Sequence, residues 1–286
     1  MYEKIMITCD STCDLSPELL EKYNIKVLPL NVKLGNQLYL DGEEVNANDV
    51  FAHVTKTKEL PVTSEPTLTQ THNFFAKYIF RGYTIIHFTI SAEMSKSYNN
   101  AAVVAGQLGR IFVVDTRTAS CGVGLLAVHA AEMVEEGLSV EEIISNIRKL
   151  AVNVRSTLIV DDLEFLKKGG RVSGVAALSA GLLKLKPNII VTQAGVLDTN
   201  KNYRGNFDTV VPEFIKAELK NVSGIDPRHI FVASTGCPKN IIDLAVSEIK
   251  KLGNFNNIHV MQTGCTIASH LGPNALLLFF INKPTK

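Results

Sequence analysis

Short apolar runs rich in β-branched residues alternate along the chain with longer stretches whose apolar residues return every three or four positions. "KIMITCD", "KVLPLNVKL", "TIIHFTI", "RIFVVD", "STLIVDD", "NIIVT", "HIFVAST" and "IHVMQTG" each read as a strand. "SPELLEKY", "SKSYNNAAVVAGQL", "GLLAVHAAEMVEEG" and "CPKNIIDLAVSEIKKL" each read as a helix. Cap signals agree: Ser16-Pro17 supplies an N-cap and a first-turn proline, and Gly137 closes the helix ending "EMVEEG". Strand and helix in alternation predict an α/β protein built from βαβ units with largely parallel sheets, whose ligand sites lie beyond the carboxyl ends of strands. The 286 residues are enough for two cores. The pattern returns from helix to strand just after Leu150, which divides the chain into an N-terminal α/β domain, 1–152, and a C-terminal one, 153–286.

Composition narrows the function. With 29 basic and 28 acidic side chains the net charge is +1, so the chain lacks the positive field that non-specific nucleic-acid binding needs. Its five cysteines form no CxxC pair, and its seven histidines stand at no metal-ligand spacing, so the expectation is reduced thiols, no metal and no disulfide framework. The start "MYEKIMITCD" has no basic segment followed by an apolar one, which predicts a cytoplasmic protein. The longest apolar run, Ala275 to Ile281, falls well short of the roughly 20 residues that span a bilayer, leaving at most a transient membrane contact.

Familiar motifs are absent or weak. "CGVGLLA" fits a loose dinucleotide pattern, but Gly122 stands several residues beyond the strand "RIFVVD", so close packing at a helix start is the better reading. There is no phosphate-binding P-loop, no GxSxG elbow and no HExxH helix. Asp10 and Asp115, at the ends of two strands, suit Asx-type organisation of the loops that follow.

Four segments put hydroxyl, imidazole or guanidinium groups where strands should end: "PVTSEPT", "TISAEMSKSYNNA", "NKNYRGN" and "ASHLGPNA". Each alone has an ordinary structural reading. Thr63 and Ser64 shape a turn before Pro66, Ser95 caps a helix, Arg204 is a solvated hairpin charge, and His270 satisfies a backbone carbonyl.

Together with other motifs they resemble the DegV family of bacterial fatty-acid-binding proteins over nearly the whole chain. The resemblance rests on "ITCDSTCDL", on "VTSEPT" for the family's TSQPS, and on "ISAEMSKSYNNA" for its S-x-LSGTYQSA. It continues in "VVDTRTASCGVGLLA", "LEFLKKGGRVSG", "YRGN" for VRG and "SHLGPNA" for HTGPGA. It implies two α/β domains with one long-chain fatty acid between them, the tail buried and the carboxylate near the surface. The implied carboxylate ligands are Thr63, Ser64, Ser95 and His270, with Arg204 near the acid-group entrance. It further implies a non-catalytic carrier, without cofactor, that presents the carboxylate to a separate fatty-acid kinase subunit for acyl-phosphate formation and phospholipid synthesis. A small-carbonyl-binding enzyme or phosphotransfer subunit, with His270 as a covalent anchor, is the alternative. "VAALSAGLLKLKP" and "ALLLFF" are candidate walls for the tail, and Lys167, Lys168 and Arg171 form a local basic patch. Departures from the family pattern touch the lips of the site: Glu65 for glutamine, Lys96 for glycine, Leu271 for threonine and Asn274 for glycine.

Overall fold

The structure, a computed structural model, describes residues 4–161, 164–169 and 185–284. The first sheet is wholly parallel. In it β1 (Lys4–Asp10) lies between β2 (Lys26–Leu28) and β6 (Tyr83–Thr89), and β7 (Ile111–Asp115) flanks β6. "KVLPLNVKL" is two strands instead of one. Pro29 has no N–H to give a ladder, so β2 stops at Leu28 and β3 (Asn31–Leu34) starts a small antiparallel sheet between β4 (Gln37–Leu40) and β5 (Val62–Ser64).

The second sheet has the order β10-β9-β8-β13-β11-β12. Its strands are β8 (Val154–Val160), β9 (Leu185–Val191), β10 (Leu197–Arg204), β11 (His229–Ser234), β12 (Asn257–Gln262) and β13 (Ala275–Ile281). The α/β class holds, but the expectation of largely parallel pairing does not extend to this sheet, where β11 and β12 alone run parallel. Connection length is the reason. β11 and β12 are joined through the 14-residue helix α9 (Lys239–Leu252), long enough for a crossover. Between β12 and β13 stands only α10 (Cys265–Leu271), seven residues that rise about 10 Å, too few to return along the sheet. β13 therefore begins where β12 ends and runs back antiparallel.

Along β13 both faces are buried. Leu276, Leu278 and Phe280 pack under α9 and α8 (Phe207–Glu218), whereas Leu277, Phe279 and Ile281 face α5 (Cys121–Glu135). Helix α5 is buried without interruption from Cys121 to Ala131 and touches both sheets, as a helix apolar on all sides must. The glycines of "CGVGLLA" permit this. A Cβ at Gly122 would lie 2.4 Å from Thr118 Oγ1 and 2.8 Å from Ser156 Oγ; one at Gly124 would lie 2.6 Å from the Cys13 carbonyl oxygen. These are packing glycines: Gly122 seats the helix against β8 and the loop after β7, and Gly124 seats it against the segment that follows β1.

On the outer face of the first sheet, α3 (Leu68–Ile79) and α4 (Ser97–Leu108) cover Met6 and Ile85. His87, 1% exposed, sits under Phe75 at a ring separation of 4.9 Å, with Nδ1 2.8 Å from Thr8 Oγ1. Burial drives its pKa down to about 3. A histidine with a lowered folded pKa binds fewer protons than the unfolded chain, so its contribution is intact above about pH 6.5 and is lost as the pH falls toward 3. Urea unfolding at pH 7 and pH 4.5 should show a stability loss in the parent roughly 2–3 kcal/mol greater than in His87→Gln. Equal losses would mean that His87 is not held neutral.

Candidate functional site

Helix α10 starts with backbone donors aimed at two buried carboxylates from the other end of the chain. Gly264 N donates to Asp14 Oδ1 at 2.8 Å, Cys265 N to Asp41 Oδ1 at 2.8 Å, and Thr266 N to Asp41 Oδ2 at 3.1 Å. Thr266 Oγ1 and Ser11 Oγ donate to Asp41 as well, at 2.6 and 3.0 Å. These acceptors satisfy the N–H groups that a helix start leaves open and complement its positive end. Burial pushes the Asp14 carboxyl well above the usual range, against the opposing hydrogen bonds from Ser120 and Gly264. Asp10 is likewise raised by burial to about 6. As expected, Asp10 and Asp115 organise loops: Asp10 accepts from Thr12 N and Ile90 N, and Asp115 from Ala92 N and Arg117 N.

His270 belongs to the last turn of α10 and does not stand at the strand mouth. Its Nε2 lies 2.9 Å from Thr63 Oγ1, a pair separated by 207 residues in sequence. Thr63 arrives on β5, opposite Val32 of β3. Ser64 follows it at the exposed end of that strand. Ser95 lies in the turn after β6; its Oγ accepts from Ser97 N at 3.2 Å and is 2.9 Å from Ser97 Oγ, so it shapes the entry to α4.

Thr63, Ser64, Ser95 and His270 all line one cavity of about 430 Å³, within the size range of small-ligand pockets. Glu65, Glu93 and Lys96 line it as well, and Leu271 is a buried part of its wall. The rest of the lining is chiefly apolar and includes Ile90, Leu158, Val191, Leu197, Leu277 and Phe279. The turns after β2, β6 and β7 contribute Leu30, Met94 and Ala119, so the cavity does lie beyond the carboxyl ends of the parallel strands.

The structure does not bring Arg204 to this cavity. It is exposed at the end of β10, while Leu197 at the other end of the same strand, about 23 Å away at the rise of an extended chain, lines the cavity. Asn274, where the family pattern has glycine, adopts φ 60°, a left-handed conformation that asparagine tolerates. Of "LEFLKKGGRVSG", the structure describes α7 (Glu164–Gly169), with Phe165 and Leu166 buried. Leu163, the Lys167 side chain, Arg171 and the rest of that motif lie outside the described residues, as do residues 175–184 of "VAALSAGLLKLKP".

Sequence reading missed Asp14, Asp41 and Ser120. Ser120 precedes α5 with φ 55° and ψ −144°, lines the cavity, and donates to Asp14 Oδ2 at 2.5 Å. A non-glycine residue in that backbone region is strained. Nothing in "CDSTCDL", "LDGEEV" or "TASCG" sets these residues apart from ordinary loop polar groups.

A family model described as "Uncharacterised protein, DegV family" matches residues 4–283. The chain belongs to the DegV family. A DegV domain-containing protein of Clostridium acetobutylicum is 32% identical, with 98% of this chain and 99% of the relative covered. One of Clostridium perfringens is 30% identical, with 98% and 99% covered. Among solved DegV-type folds, a fatty-acid-binding DegV family protein of Thermus thermophilus superposes with a TM-score of 0.90 at 28% identity, covering 98% of this chain and 99% of the other. A stearic acid-binding protein of Eubacterium ventriosum superposes with a TM-score of 0.84 at 27% identity, covering 99% of each chain. Among the described residues, no helix is long and apolar enough to cross a membrane, and no three His, Cys, Asp or Glu side chains are placed to hold a metal ion.

Asp41 is 2% exposed and accepts four hydrogen bonds. Its replacement by alanine removes a helix cap and orphans buried donors, so Asp41→Ala should lose about 2–4 kcal/mol in urea unfolding, with Asp41→Asn losing less. A loss under about 0.5 kcal/mol would show that α10 is held by other contacts.

Proposed function

We propose that this DegV family protein binds one long-chain fatty acid in the 430 Å³ cavity, with the carboxylate at Thr63, Ser64, Ser95 and His270 and the tail among the apolar residues behind them. The observation that carries this reading is a single cavity that joins Thr63, Ser64, Ser95 and His270, brought in by β5, the turn after β6 and α10, to the apolar Leu158, Leu277 and Phe279 of the buried strands β8 and β13. Fatty-acid binding by the Thermus thermophilus and Eubacterium ventriosum proteins supports it. Each buried methylene contributes about 0.8 kcal/mol, so a long chain gains most of its affinity from the wall and its orientation from the polar end.

A carboxylate held by neutral hydroxyl donors and an imidazole is fixed in place without a bidentate arginine pair. It keeps the electron density that a nucleophilic oxygen needs. In this reading the protein is a carrier that presents the carboxylate to a separate fatty-acid kinase subunit, which supplies magnesium and the phosphate cradle for acyl-phosphate formation and phospholipid synthesis. An apolar lining that includes Ile90, Leu158, Leu197, Leu277 and Phe279 favours an acyl ligand over the small carbonyl compound that a covalent anchor at His270 would serve.

Mass spectrometry of a chloroform extract tests the proposal. The parent protein, purified without added lipid, should carry about one equivalent of long-chain fatty acid. His270→Ala and Ser95→Ala should each weaken binding by about tenfold or more, the worth of one hydrogen bond to a charged group. A parent protein that is empty and also refuses added fatty acid would refute the assignment.

A further inference from the structure

Beyond the first cavity lies a second, larger one of about 1120 Å³, and among the described residues the two share only Ser156 and Val191. Strand β8 shows how they follow one another. Of the side chains on its α5-facing side, Leu158 lines the first cavity, Ser156 lines both, and Val154 lines the second. The sheet register makes this boundary a row. Phe279 of β13 pairs with Ser156, and Val191 of β9 pairs with Leu197 of β10. The pairing of Thr157 with Ile190 puts Ser156 opposite Val191 at the next position.

The row is braced from the loop that leads into α5. Ser156 Oγ and Thr118 Oγ1 are 2.6 Å apart, both residues are buried, and the missing side chain of Gly122 leaves room for both hydroxyls against the helix. Next to this row the first cavity is lined by Leu158, Leu197, Leu277 and Phe279. Past it, the second cavity mixes apolar residues such as Ile111, Val113, Ile144 and Val152 with Asp115, Arg117, Arg148, Arg155 and Gln193, so a hydrocarbon tail gains less there than against the Leu158 and Phe279 wall.

We propose that Ser156 and Val191, with Thr118 bracing Ser156, are the end stop for the acyl tail and set the longest chain this protein accepts. The inference rests on the fatty-acid reading of the first cavity. It assigns chain-length selection to a wall that is thin, because the same two side chains face open space on their far side. Val191 is the adjustable part of that wall: it is only partly buried and makes no side-chain hydrogen bond, whereas Ser156 is clamped between Thr118 and Gly122.

Delipidated protein is equilibrated with an equimolar mixture of saturated fatty acids from dodecanoic to docosanoic acid, and the retained acids are quantified by mass spectrometry. Val191→Ala should move the retained distribution toward longer chains by about two carbons, the number of side-chain carbons removed; Val191→Phe should move it toward shorter ones. Val191→Ala is mild enough to carry the test alone if the larger substitution fails to fold. A variant that retains one equivalent with the parent's distribution overturns the end stop while leaving the fatty-acid reading intact. A parent that retains none of the mixture overturns that reading, and the end stop with it.

Discussion

The close approach of helix α5 to two sheets at once is the constraint on which the site depends. Gly122 brings the helix against Thr118 and Ser156, and Gly124 brings it against the Cys13 carbonyl and Leu15. Side chains at either position would force the sheets apart, and the cavity between them would lose its shape. The same helix start carries Ser120, whose strained backbone is held by a hydrogen bond to Asp14. Asp14 in turn caps α10 through Gly264, so one continuous set of contacts leads from the buried helix to the element that carries His270.

At its other end α5 is tied down by polar contacts. Glu132 accepts from Tyr23 OH at 3.3 Å and lies 2.8 Å from His229 Nε2 and 3.5 Å from His129 Nδ1. His229 continues through Nδ1 to His259 Nε2 at 3.0 Å. Burial alone would raise the Glu132 carboxyl, but the His129 and His229 contacts outweigh it and hold it well below the usual carboxylate range. Helix α5 is thus fixed near its start by close packing and near its end by a carboxylate shared among residues before, within and after it. That leaves little freedom for the two sheets to slide where the cavity lies between them.

The division of labour inside the cavity follows from secondary structure. Apolar wall comes from alternate residues of β8 and β13, where the period of two puts Leu158, Leu277 and Phe279 on the face toward α5. Polar groups come from a strand end, a turn and a helix end, positions where hydroxyls and imidazole find backbone partners or one another. A fold that buries a sheet on both faces and stops its strands together produces this arrangement without any single residue dictating it.

Periodicity alone was enough to place most strands and the helices α4, α5 and α9, because each depends on side chains two, three or four positions apart; it did not find α3, α8 or α10. Glycine spacing in "CGVGLLA" was legible as packing for the same reason, and the motifs around Thr63, Ser64, Ser95 and His270 marked four positions that the folded chain does bring to one cavity. What periodicity could not carry was pairing. The antiparallel entry of β13, the exposed position of Arg204 and the capping of α10 by Asp14 and Asp41 all depend on partners up to 250 residues away. Seven scattered histidines gave no hint that two of them meet Glu132 and a third pairs with His229. The sequence by itself determined the local elements and the chemical types available; the tertiary structure alone decided which of them meet, since contacts between distant segments are set by connection length, strand order and close packing, none of which leaves a short-range pattern in the chain.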